Sequence, residues 1–198
     1  MNYYLEDSAS KAIILISDNI FLVNNISSGL LDNYLSTTVY SETASKIKEH
    51  LSKHTNVGIA FGKNSLEEVD LTDFEYTREK IRLIKLRKPL FEELLLNVHR
   101  YTASNRIGFN FGDEVYIQYA LANKDALSEY ATVMNISPEF AGKELKLISD
   151  SVIKNNFRMF TVASQLKEKI NNVQTDIDAT NVKTIISKSF HLAGMVNV

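Results

Sequence analysis

The apolar positions of this chain fall into two regimes. Up to about residue 70 they come in short runs: "AIILI" at 12–16, "IFLV" at 20–23, "VGIAFG" at 57–62 and "EEVDL" at 67–71. Runs of this length, bounded by turn residues, read as strands. Asp18-Asn19 separates the first two, and both residue types tolerate the left-handed backbone of a tight turn. Residues 13–16 and 20–23 are therefore expected to pair as a hairpin. Between the runs, "SETASKIKEHLSKH" carries Ala44, Ile47 and Leu51 at helical spacing behind a capping Ser41. The first seventy residues thus predict a small mixed sheet with one helix.

Beyond Leu71 the period becomes helical. Thr72 with Glu75 forms a capping-box pattern ahead of a stripe of Phe74, Ile81, Ile84, Phe91, Leu95 and Val98. Pro89 sits inside that stripe; it lacks a donor and clashes with the preceding turn, which predicts a kink or two helices meeting there. "YTASNRI" breaks the pattern and "IGFNFG" reads as an extended piece. Gly112 ends it, and Asp113 is placed to cap a helix carrying Val115, Tyr116, Tyr119 and Ala120. A phosphate-cradling loop would need lysine or serine where Asp113 stands, so this glycine pair is read as a corner rather than a ligand loop. A short helix is expected around residues 124–133.

Ser137 as cap and Pro138 in the first helical position then open the strongest periodicity of the chain. Leu145, Ile148, Val152, Met159, Ala163, Leu166, Ile170 and Val173 recur at spacings of three, four or seven. About 35 residues would span roughly 50 Å, long for a domain of this size. Two readings stay open: a helix packed on its own domain, with a break near Asn155-Asn156 allowed, or one paired with another subunit. On the second reading Leu145, Ile148, Val152, Met159, Leu166 and Ile170 are the candidate interface. "DATNVKTIISKSF" closes the chain as a Thr180-capped helix followed by a short apolar tail. The fold class is α+β, mostly helical: residues 1–72 form the sheet-containing part, and 73–198 the helical part with one long amphipathic helix.

Composition adds boundaries. The chain has 198 residues, 44% hydrophobic and 23% charged, with a formal net charge of −2. That balance predicts a packed core and no global field drawing the protein to nucleic acid or an anionic membrane. With no cysteine, disulfides, thiol catalysis and thiolate metal sites are excluded. "MNYYLEDSAS" has no signal-peptide features, and "AIILI" is far too short to cross a bilayer.

Candidate chemistry is sparse. His50 and His54 lie four apart, as a metal pair on a helix would, but Leu51 stands where a metalloprotease helix carries its glutamate. Two exposed histidines at a helix end are expected instead. Six basic residues against Glu79 lie between Arg78 and Lys88, interleaved with Ile81, Leu83, Ile84 and Leu86, as on a solvated or partner-facing helix. Nucleic-acid binding is the sharper alternative. The acids cluster at Glu67-Glu68-Asp70-Asp73-Glu75 and Glu92-Glu93, with no third element to single out a catalytic pair. No nucleophile elbow, Walker or Rossmann glycine pattern occurs. The reading is of a non-enzymatic protein with no catalytic, cofactor or metal residue.

Four segments carry a resemblance: "REKIRLIKLRKPLFEELL", "RIGFNFGDEVYIQYAL", "ELKLISDSVIKNNFRMFTVASQLKEKINN" and "DATNVKTI". From about Arg78 to Ile185 their order resembles a domain of unknown function found in bacteriophage tail and tail-fibre-associated proteins. That family has a basic-apolar helix, a short "G-x-x-F" extended piece, an acid and a helix. A long helix with a midway aromatic and a terminal "L-x-x-x-I" pair, here Leu166 and Ile170, precedes a short final helix. The family often places a tryptophan-centred strand between its helices; this chain has no tryptophan. The resemblance implies a phage structural protein of the tail, baseplate or fibre, made in the host cytoplasm and held in the virion, with other tail or fibre proteins as partners in a homo- or hetero-oligomer. A fibre-assembly chaperone is the alternative within that class, and a small nucleic-acid-binding or host-directed protein the alternative outside it.

Overall fold

The computed structural model describes residues 2–30, 41–54, 56–63, 65–104 and 111–192. In chain order the elements are β1 (Tyr3–Glu6), β2 (Ile13–Ser17), α1 (Ile20–Leu30), α2 (Ser41–Lys53), β3 (Val57–Phe61) and β4 (Leu66–Asp70). Then come α3 (Glu75–Ser104), α4 (Phe111–Ala122), α5 (Lys124–Met134), α6 (Pro138–Asn171) and α7 (Asp176–Leu192). The α+β, mostly helical class is as expected. The described strands form two separate antiparallel pairs, β1–β2 and β3–β4, rather than one mixed sheet.

The expected hairpin at Asp18-Asn19 is not formed. Asn19 accepts from the amides of Phe21 and Leu22 at 3.0 and 3.2 Å, which makes it a helix N-cap, and the run at 20–23 becomes the first turn of α1. The partner of β2 is instead β1, with Tyr4 opposite Ile16 and Leu5 opposite Leu15. Asp7 organises their connection. Its Oδ2 accepts from the Ser10 amide and hydroxyl, and Lys11 takes a left-handed φ of 62° to close the turn.

Every residue of β2 is buried, because it stands between two cores. Ile13 and Ile16 pack with Tyr4, Ala44, Ile47 and Ile59 in the smaller one. Ile14 and Leu15 join the larger, which runs through Leu22, Ile81, Phe91, Leu166, Ile170 and Phe190. The larger core thus draws on both sides of the 72/73 boundary. The helix α2 lies where Ala44 and Ile47 place it, and β3–β4 are the strands read from 57–62 and 67–71. Gly58 lets β3 approach β2: a Cβ there would lie 2.8 Å from that of Ala12.

Helix starts show further differences. The Thr72 amide and hydroxyl donate to Asp70 Oδ1 at 2.9 and 2.6 Å and α3 begins at Glu75, so the Thr72–Glu75 capping box gives way to an Asx turn. The helix α3 runs unbroken through Pro89, although the Lys85 carbonyl thereby loses its intrahelical donor. Asp113 lies inside α4, which starts at Phe111; the extended piece read at 107–112 falls largely on 105–110, outside the described residues. Ser137 caps α6 as expected, accepting from Phe140 N at 3.2 Å, and α6 is continuous past Asn155-Asn156. Thr180 is interior to α7. The cap is Thr175: its Oγ1 accepts from Asp178 N while Asp178 Oδ2 accepts from Thr175 N, a reciprocal box. The apolar tail lies outside the described residues.

Two packing regions share α6. Its C-terminal half packs on α3 and α7, whereas α4 and α5 touch only each other and α6 among the described residues. That three-helix tip has a thin core of Ile117, Ala131, Ala141 and Leu145, with Ser149 tied to Gln118 at 2.6 Å.

Candidate functional site

The stripe singled out on α6 is used inside the chain. Leu145, Leu166 and Ile170 are buried, Ile148 and Val152 are half-buried, and half-buried Met159 packs on the larger core with Val162 and Ala163. The stripe is continuous in sequence but covered by different neighbours: the tip helices at one end, α3 and α7 at the other. The candidate interface therefore moves to another face.

Between those two ends, no side chain of α6 from Asp150 to Gln165 is buried. Ile153, Phe157 and Phe160 stand there with 49%, 71% and 66% of their surface exposed. Spacings of four and three place them within an arc of roughly 60° at about 100° per residue. They flank the buried stripe rather than extend it, since Tyr101 of α3 reaches the other side of the helix and donates to Asn155 O at 3.3 Å. Asp150 and Lys167 bracket the group along the helix, and neither makes an ion pair among the described residues. Further exposed apolar side chains, Tyr116 and Tyr119 on α4 and Phe140 and Leu147 on α6, lie towards the tip.

The basic run is largely engaged. Arg82 forks onto Glu79 at 2.6 and 2.8 Å and donates to Gln174 O at 2.8 Å. Glu79 holds that guanidinium above its ordinary value and is itself held low by it. Arg87 is buried and donates to Val173 O at 3.1 Å, tying α3 to the end of α6; burial pushes its guanidinium below the usual value. Lys80 reaches Asp7 Oδ1 at 2.6 Å. Burial pushes that carboxyl up, but Lys80, the Ser10 amide and hydroxyl and the Thr77 hydroxyl outweigh it and hold it well below the carboxylate range. A cleft of about 560 Å³ over the first turns of α3 is lined by Arg78, Arg82 and Lys85, but also by Glu75 and Glu79. Its mixed charge does not make an anion funnel.

His50 is not the solvent-facing residue expected. It is half-buried, and its Nε2 lies 2.9 Å from Val57 O, joining α2 to β3, with the His54 ring 4.5 Å away. Among the described residues no group of three or more acid or histidine side chains is placed to hold a metal, and no helix is long and apolar enough to cross a membrane. The open face of α6 was missed in the sequence because Ile153, Phe157 and Phe160 share the spacing of the covered stripe beside them. No protein-family model, curated protein or solved structure matches the chain.

Proposed function

We propose that this chain is a non-enzymatic subunit of a bacteriophage tail, baseplate or tail fibre that acts through protein–protein contacts. The observation carrying this reading is the open apolar group Ile153, Phe157 and Phe160. Clustered aromatic surface on a rigid helix is what contact surfaces are built from. The tail setting comes from the resemblance, which runs over the same helix. The nucleic-acid alternative finds less support, because Lys80, Arg82 and Arg87 are committed to partners within the chain.

Mass spectrometry of washed phage particles tests the proposal. The protein is expected in the particle at a stoichiometry that survives washing. Absence from particles with co-purification on a fibre protein would replace the subunit with an assembly chaperone. Absence from both would overturn the tail reading.

A further inference from the structure

We infer that two copies of this chain pair through the open face of α6, helix against helix and antiparallel. Asp150, Ile153, Phe157, Phe160, Ser164 and Lys167 follow one another at spacings of three, four, three, four and three. That is the seam of a coiled coil. All of them are exposed except Lys167, which is half-buried. The seam has an acid at one end, a base at the other and two phenylalanines in the middle.

Charge selects the direction. A parallel pair in register would set Asp150 against Asp150 and Lys167 against Lys167, like charges at both ends. An antiparallel pair centred between Phe157 and Phe160 sets Phe157 on the partner's Phe160 twice, Ile153 on the partner's Ser164 twice and Asp150 on the partner's Lys167 twice. Among the described residues neither charge has an ion-pair partner, so the pairing satisfies them without breaking a contact made there.

The seam also sets the strength. Eighteen residues of helix span about 27 Å, and a strip that long buries roughly 700 Å² over both copies, below the ~1,200 Å² of stable interfaces. The dimer is accordingly weak and concentration-dependent. It goes beyond the tail reading and stands without it, since it needs only this chain.

Sedimentation velocity on the full chain between about 1 and 200 μM tests the pairing. The wild type is expected to pass from monomer to dimer, and Phe157→Glu to remain monomeric. At about 1 μM, where both are monomers, the two should share one melting curve, because the side chain is exposed in the monomer. Asp150→Lys and Lys167→Asp should each weaken the dimer about tenfold, and the double exchange should restore it. A wild type monomeric throughout, or a dimer indifferent to Phe157→Glu, would overturn the proposal. A double exchange no better than its parents would overturn the antiparallel register. None of these outcomes bears on whether the protein is in the particle.

Discussion

Replacing Asp7 by alanine removes the centre of a buried polar network. The side chain is 1% exposed and receives Ser10 N, Ser10 Oγ and Thr77 Oγ1 at 2.8–2.9 Å, together with Lys80 Nζ at 2.6 Å. In Asp7→Ala the Thr77 and Ser10 donors are buried without that acceptor, at about 1–3 kcal/mol for each unsatisfied group, and Lys80 loses its counter-charge. These costs are not additive; breaking a buried pair from one side is worth about 3–5 kcal/mol in total, and that is the expected loss. Asp7→Asn keeps an acceptor for Thr77 and Ser10 and should lose about half as much. Because the folded carboxyl lies below its ordinary 3.8, its contribution is present above that value. It is lost as the pH falls through about 4 towards the folded pKa. Urea unfolding followed by circular dichroism near neutral pH and again at about pH 3 measures both effects: the variant should be less stable at neutral pH and should lose less on acidification. A loss under about 1 kcal/mol at neutral pH, or an unchanged acid dependence, would refute this role for Asp7.

Other perturbations test the fold at separate points. Gly58→Ala should destabilise by about 1–3 kcal/mol in urea unfolding, since the new methyl meets Ala12, which has no side-chain freedom to yield. Pro89→Ala should stabilise by about 1–3 kcal/mol by restoring a donor inside α3; a loss of stability would mean that the helix has come to depend on the proline. Thr175→Ala should cost about 0.5–2 kcal/mol through the cap of α7, whereas Thr180→Ala, inside the helix, should cost less. Hydrogen exchange should show α5 opening before the central turns of α3, because the tip rests on a few small or medium side chains.

Much of the fold was legible where a local signal and a tertiary need agreed. Ser137-Pro138 started α6, Ala44 and Ile47 turned α2 inward, and the 57–62 run became β3. Misreadings arose where one short pattern serves two structures. Asn19 caps a helix as readily as it turns a hairpin, and four apolar residues after it cannot tell strand from first turn; the unremarked "YYLE" that pairs with β2 decided the matter. Thr180 and the Thr175-x-x-Asp178 pattern about a turn earlier are equally good capping signals, and the second stands where the helix starts. On α6 two apolar stripes lie side by side with the same spacing. Which one is covered depends on where α3, α4, α5 and α7 approach, and no local pattern encodes that.

A photo-reactive residue placed at Phe157 in the full chain, irradiated where the protein meets its native partners, tests most directly whether the open face of α6 is a contact surface. A strong adduct from that position, and little from one at exposed Lys46 on α2, is the expected result, with the adduct's mass separating a second copy from a tail or fibre protein. Equal weak labelling from both positions would mean that this face meets solvent alone, and the account of the protein as a contact-making subunit through α6 would be contradicted.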